Sequence, residues 1–600
     1  MPQPSRFVIA SLTLVLTCAL PWGIAHAQRN QRLGGRIHNH QKAIVPGTRS
    51  PRLDTLRSLG PVGGGQRITG MNLRFRPTEA QEQELEQLLA EQQDPGSPRY
   101  HAWLSPEEYG ERFGLPAADL DLVREWLTAQ GFQVEAVADS RTYVSFSGTA
   151  AQVEAAFDTP LQRYEANGVE HFANAHDLSL PAELAPLVYA IHGLNDFPEQ
   201  PQATNGVLRS KFNGVNALAP YDLQIIYNVR PLIEQGYSGA GQKIAVVGQS
   251  KFNLQDVRDF RAAAGLPPHD PQVILMPGVA DPGYTNAVGE ALLDLEYAGA
   301  AAPSASLIYV YTYNAALAAQ YVVDRNLAPV LSYSFVNCER NNSSATLAWF
   351  RNVAQQAAAQ GITWVASSGD SGVAACESKS GDAIGVNGFQ VAVPASVPEV
   401  TSIGGTTFAE GTGNYWSNIA ALSYIPETAW NDTRAVGHLA ASGGGVSSFF
   451  GRPPWQTGNG LPNDNARHVP DLAFSASAQH DPYLIIQTGG AVTTGGTSAG
   501  TPFFAGVIAL LNQYMIAIGA QNKPGLGNIN PRLYEIARTG KGVLHDVTTG
   551  NNIVPCRAGT TNCQTGQYGY NAGPGWDHVT GWGSVNVQAL FNHWPVSRPY

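Results

Sequence analysis

Apolar and polar positions follow two regimes along this chain, and the change falls near residue 200. Before it, alternating stretches at Arg67 to Phe75, Phe132 to Val137 and Arg141 to Phe146 show the period of half-buried strands. Helix starts are marked by Thr78 with Gln81 and by Ser105 with Glu108. Such pairs satisfy reciprocally the N–H groups a helix leaves open at its start, and Pro106 stands where a missing N–H costs nothing. Further helices are predicted over Pro116 to Gln130 and Ala150 to Phe157. The elements suit an α+β module, an antiparallel sheet with helices on one face. Residues 198–213, with Pro, Gln, Asn and Gly and little apolar pattern, read as an exposed linker open to proteolysis.

Beyond the linker the pattern becomes strand, helix, strand, helix. β-rich runs at Lys243 to Val247, Leu307 to Tyr311, Val330 to Phe335 and Ile362 to Ala366 are separated by helical stretches. These are Leu254 to Ala264, Ala287 to Ala300, Ala315 to Asp324 and Ala345 to Gln360. This alternation predicts an α/β fold, a parallel sheet covered by helices on both faces. Ligands on such sheets bind beyond the carboxyl ends of strands, so the chemistry is expected in the loops that follow them.

Composition sharpens the division. Of the 177 residues from Gln28 to Thr204, 38 are charged, against 44 of the 396 that follow. The net charge of −11 provides no footprint for nucleic acid. Residues 1–27 carry Arg6, an apolar run from Phe7 to Leu20 and the small-x-small triplet Ala25-His26-Ala27, the layout of a cleaved export signal. The run is shorter than the roughly 20 residues a span requires, and no later stretch reads as long and apolar enough to cross a membrane. A secreted, extracellular protein is therefore expected, with the periplasm as the alternative destination. Without Cys18, four cysteines remain, which in an oxidising compartment allow three connectivities; neighbour pairing, Cys338 with Cys376 and Cys556 with Cys563, is favoured.

Three segments carry chemistry. Gly495-Gly496-Thr497-Ser498-Ala499-Gly500-Thr501-Pro502 precedes an apolar helical run, which exposes the Ser498 hydroxyl at a helix N-terminus that favours developing negative charge. A serine nucleophile needs a base, and no histidine stands in a His-Gly-x-His setting. Glu290 and Asp294, four apart on a predicted helix rich in Leu and Ala, project from one face and should share a proton. Glu296 points elsewhere and reads as a packing or surface residue. Ser368-Gly369-Asp370-Ser371-Gly372 directly follows an apolar strand and offers a loop carboxylate. Each segment also has a plain structural reading: a capping turn, a solvated helix face and a turn aspartate.

Together the segments resemble the sedolisin family of serine-carboxyl peptidases, which includes kumamolisin. The order Glu290, Asp294, Asp370, Ser498 matches the family's order of Glu-x-x-x-Asp, Gly-Asp-Ser-Gly and Gly-Thr-Ser. Ser442-Gly443-Gly444-Gly445, Pro454-Trp455-Gln456 and Val469-Pro470-Asp471 match too. In the first module so do Tyr100-His101-Ala102-Trp103-Leu104-Ser105, Val144-Ser145-Phe146-Ser147-Gly148-Thr149 and Gly193-Leu194-Asn195-Asp196. The resemblance implies a subtilisin-like catalytic domain over residues 214–600, an inhibitory activation prodomain over 28–197 and maturation within 198–213. It implies a self-processing acid endopeptidase, monomeric, acting on protein or peptide substrates, with no membrane attachment after signal removal. Glu290 would be the general base for Ser498, Asp294 would hold Glu290, and a protonated Asp370 would donate to the oxyanion. One structural Ca2+ is implied at Asp546 and Asp577, with carbonyls of Val547, Gly573 and Gly575. The chain departs from many relatives in having Phe335 after Ser332-Tyr333-Ser334, and in having Gln249 where some members carry another Glu. Two other readings stand beside this one. A conventional hydrolase would draw its base from His269, His438, His468, His480, His545, His578 or His593; a secreted, calcium-stabilised binding module would carry a dead active site.

Overall fold

Both paired helix starts form complete capping boxes. The Thr78 hydroxyl accepts from Gln81 N while the Gln81 side chain accepts from Thr78 N, opening α1 (Glu79–Gln93). Ser105 and Glu108 do the same for α2 (Pro106–Phe113), followed by α3 (Ala117–Ala129) and α4 (Ala150–Phe157). In the computed structural model the described residues are 31–166, 168–201, 204–205, 216–377, 382–418 and 420–595. The export signal over 1–27, and residues 202–203 and 206–213 of the linker, lie outside them.

Strands β1 (Arg67–Phe75), β2 (Gln133–Val137), β3 (Tyr143–Thr149) and β4 (Val188–His192) form an antiparallel sheet in the order β2-β3-β1-β4. Phe132, Phe146 and Phe157 pack as an aromatic cluster in the core beneath it. The alternation did not reveal β4, because Val188–Ile191 are all buried and no polar face marks the period. A smaller antiparallel sheet of Arg57–Pro61, Leu161–Ala166 and Val169–Asn174 completes the N-terminal module.

The C-terminal domain is built on an eight-stranded sheet. Its strands are β5 (Lys243–Gly248), β6 (Gln272–Leu275), β7 (Ser306–Tyr311), β8 (Val330–Tyr333), β9 (Thr363–Ser367), β10 (Thr401–Phe408), β11 (Glu427–Ala429) and β12 (Leu472–Ser475). The order is β6-β7-β5-β8-β9-β10-β11, with β12 also on β10, and only the β10–β11 pair is antiparallel. Burial on both faces explains why these strands read as continuous apolar runs. Ile244 and Val246 pack with α5 (Leu254–Ala263), α6 (Val288–Ala301) and a long late helix, while Ala245 and Val247 pack with α7 (Ala315–Asp324) and α8 (Ser344–Ala359). Helices thus cover both faces, as expected. The late helix, α9 (Thr497–Ala517), follows a hairpin of β13 (Tyr483–Gln487) and β14 (Gly490–Gly495). It corrects one expectation: it has the length and hydropathy of a membrane span, but 83% of that window is buried inside the domain, so it is a core helix.

Two further expectations change. The run predicted from Val330 to Phe335 is broken after Tyr333, and Phe335–Cys338 instead pairs antiparallel with Ala392–Val393. The linker is not simply exposed. Glu199 is buried, Gln200–Pro201 pair with Val336–Phe335, and Thr204–Asn205 pair with Gly495–Thr494. A segment held by its backbone shows no side-chain period, so composition alone read it as free. The disulfides join Cys338 to Cys376 and Cys556 to Cys563, the neighbour pairing.

The two units share a polar and aromatic interface. Trp103 lies against Gly361 and Gly525 and donates from its indole to Gly525 O at 3.1 Å. Ser140 Oγ donates to Asp324 Oδ1, and Arg325 pairs with Asp139.

Candidate active site

Glycines place the serine. Gly496 has φ of +100°, and a Cβ on Gly495 would stand 2.5 Å from Ala476 O, so the turn from β14 into α9 can be made only without side chains. Ser498 then lies in the first turn of α9, fully buried. Further along, a Cβ on Gly506 would meet Ala301 Cβ at 2.5 Å and Ala298 O at 2.8 Å, so α9 and α6 cross in backbone contact. Ser498 stands eight residues before Gly506, and Glu290 eight before Ala298, about 12 Å along each axis. One crossing therefore sets the level of both residues.

Glu290 and Asp294 are both buried in α6, not on a water-facing flank. Burial, then the Glu290 charge, hold the Asp294 carboxyl well above its ordinary value, with the Ser334 hydroxyl bond acting in the opposite direction. Ser334 Oγ donates to Asp294 Oδ1 at 2.6 Å, and Ser334 O accepts a long 3.5 Å bond from Ser498 Oγ. Ser334 thus touches the acid with its side chain and the serine with its backbone. The break after β8 creates this bridge. Glu296, expected at the surface or in packing, is buried; Ile486 N of β13 donates to it at 3.2 Å, and burial raises its carboxyl.

Asp370 lies in the loop after β9, against the start of α9. Its Oδ1 accepts from Thr497 N and from Thr497 Oγ1, both at 2.8 Å. Gly443 N donates to Gly369 O, and a Cβ on Gly443 would fall 2.4 Å from Ser368 O, which makes that glycine necessary to the loop's position. Ser442 Oγ accepts from Gly405 N and donates to Val579 O. Behind it, Arg467 and Asp471 form a fully buried ion pair at 2.6 Å, and Tyr534 Oη also donates to Asp471. The small-residue and Pro-rich motifs therefore form the frame of the Asp370 loop.

Five of the seven candidate histidines are engaged elsewhere. His468 bonds His578 and Asp464, His480 bonds Glu410 and also faces Asp481, His545 stacks on Tyr424, and His593 meets Ala589 O. Burial pushes His578 down to about 3 and His545 to about 4. Near the C-terminus the expected calcium residues do converge. Asp546 Oδ2 accepts from Gly575 N, Asp577 Oδ2 from Gly573 N, and Thr580 Oγ1 donates to Val547 O. Asp546 and Asp577 offer two carboxylates, the hard oxygen donors that a cation such as calcium takes.

The sequence reading brought Glu290, Asp294, Asp370 and Ser498 forward, and the fold gathers them at one place. It missed the bridging role of Ser334 and the clamp of Thr497 on Asp370, although both stand inside the quoted motifs.

Residues 56–197 match the Pro-kumamolisin activation domain. Sedolisin of Pseudomonas sp. (strain 101) is 31% identical over 532 residues, covering 85% of this chain and 84% of that protein. Kumamolisin of Bacillus sp. (strain MN-32) is 29% identical, covering 88% and 92%, and human tripeptidyl-peptidase 1 is 29% identical, covering 90% and 95%. A solved structure of Pseudomonas sedolisin, a serine-carboxyl proteinase complexed with two molecules of pseudo-iodotyrostatin, superposes with a TM-score of 0.52 at 28% identity over 64% of this chain and 98% of that one. The fold and these relatives define a serine-type peptidase preceded by an activation prodomain. The chain belongs to the sedolisin family.

Proposed function

We propose that this protein is made as an exported zymogen and matures into an endopeptidase that works at acid pH through Ser498, Glu290 and Asp294. The observation that carries the proposal is the contact chain from buried Asp294 through Ser334 to Ser498. On substrate binding the Ser498 hydroxyl turns from the Ser334 carbonyl to Glu290, which takes its proton as Oγ attacks the peptide carbonyl carbon. Asp294, carrying a proton, holds Glu290. Asp370 accepts from Thr497 through Oδ1, which leaves Oδ2 to carry the proton that it donates to the oxyanion. Glu290 then returns the proton to the leaving amine, and water, activated by the same carboxylate, releases the acyl group. The raised Asp294 carboxyl accounts for an acid optimum: activity falls as pH rises and Asp294 ionises.

Asp546 and Asp577, with carbonyls of Val547, Gly573 and Gly575, would hold one calcium ion, which when bound cross-links two loops and takes no part in the reaction. Residues 1–27 would direct export.

Incubating the purified precursor across acidic to neutral buffers tests the reading. Self-cleavage on acidification is expected for the parent, and a folded, uncleaved precursor for Ser498→Ala and Glu290→Gln. Efficient maturation of either variant would refute the assignment.

A further inference from the structure

One buried carboxyl at the domain junction is left unused by this mechanism. Glu199 is buried although Pro198 and Gln200 on either side are exposed. Its side chain leaves the linker and enters the peptidase domain, where a single oxygen, Oε2, accepts from Tyr333 Oη at 2.5 Å and from Ala316 N at 3.1 Å. Ala316 stands in the first turn of α7, whose open N–H groups favour an oxygen acceptor. Tyr333 ends β8, one residue before Ser334. A cavity of about 70 Å3 is bordered by Glu199, Asn314, Ala316 and Leu317, with Arg52 and His192 also on its wall. Among the described residues no acid–cation pair holds Glu199, and burial pushes its carboxyl up to about 7. Two donors converging on one oxygen suit the C=O of a neutral carboxylic acid or a carboxamide.

Two backbone ladders relate this side chain to the serine. Gln200 and Pro201 pair antiparallel with Val336 and Phe335, a ladder that ends beside Ser334, whose carbonyl accepts from Ser498. Thr204 and Asn205 pair with Gly495 and Thr494, directly before the turn into α9. The ladders lie on either side of the nucleophile, with Glu199 just upstream of the first. We propose that the linker is held as a substrate is held, and that Ala316 N and Tyr333 Oη form an acyl-side subsite for the side-chain carbonyl oxygen of Glu or Gln. This rests on the peptidase reading above and deepens it: the substrates so favoured carry Glu or Gln a few residues before the cut bond.

The test uses the matured enzyme and four peptides copying residues 196–208, with Glu, Gln, Leu or Lys at the position of Glu199. Below about pH 5, kcat/KM for the Glu and Gln peptides should exceed that for the Leu peptide by about tenfold or more, because Leu leaves two buried donors unpaired. As pH rises towards 7 the Glu peptide should fall relative to the Gln peptide, wherever the Leu peptide is still cut. Tyr333→Phe should lower the Glu and Gln values towards the Leu value. Equal cleavage of all four peptides would mean that Glu199 is only a latch for the prodomain and would overturn the subsite. Cleavage of none at any acid pH would overturn the peptidase reading and the subsite with it.

Discussion

Two sets of carboxylates, one from each unit of this protein, live in opposite surroundings. In the prodomain they stand in water beside arginines: Glu84 with Arg112, Glu91 with Arg99, Asp121 with Arg124 and Glu170 with Arg163. In the peptidase domain Glu290, Asp294, Glu296, Asp370 and Glu427 are buried, and hydroxyl or backbone N–H groups donate to Asp294, Glu296, Asp370 and Glu427. Exposed pairs of the first kind contribute at most about 1 kcal/mol each. Burial without a cation instead raises the carboxyls of Asp294, Glu296 and Glu427, which is a chemical property and not a stabilising one. Charge density thus reports solvation, while chemistry lies where charge is scarce and enclosed.

Asp471→Asn probes the exception, a buried acid that does have a cation. It leaves Arg467 buried without its partner and should destabilise the precursor by about 3–5 kcal/mol in denaturant unfolding. A loss below about 1 kcal/mol would place this pair with the surface pairs and blur the contrast. Asp370→Ala should lower kcat of the matured enzyme by about 10²–10³-fold with little change in KM, the expected loss for one oxyanion donor. An unchanged kcat would return Asp370 to the role of a turn residue.

His192 sharpens the contrast where the two units meet. It is half-buried, its ring against Trp349 of α8 with the Arg74 guanidinium near, and desolvation and that charge hold it well below its ordinary value. The folded form therefore keeps it neutral. The stability gained from that is present above about pH 6.5 and is lost as the pH falls towards the folded value. Asp324 and Glu199, raised by burial at the same interface, act in the opposite sense. His192→Gln should consequently move prodomain release, followed by size exclusion of the Ser498→Ala precursor, about half a pH unit or more downwards relative to its parent. The smallest effect is expected of Glu84→Gln, about 1 kcal/mol or less by thermal unfolding, since its Arg112 partner is half in water.

Local physics explains which elements could be read in advance. The capping boxes at Thr78 and Ser105 need residues three apart, and α7 was legible to its last residue, because Asn314 caps it and its run is apolar. What escaped reading was non-local. β4 lacks a polar face, Gln200–Pro201 and Thr204–Asn205 are held through backbone on distant strands, and Ser334 acquires its role only because β8 ends one residue earlier. Glu199 sat unremarked in a polar stretch, since nothing in its neighbours announces a pocket on another domain.

By itself the sequence determined the alternation of elements, the division at the charge boundary and the identity of four reactive side chains, because period, capping and motif order are written in adjacent residues. Only the tertiary structure decided that Glu290 and Asp294 are shielded from water, that Ser334 joins them to Ser498, and that Glu199 is seated beside the cleft. Those facts depend on the Gly506–Ala298 crossing and on pairings between residues more than a hundred positions apart, where desolvation, not local propensity, sets the outcome.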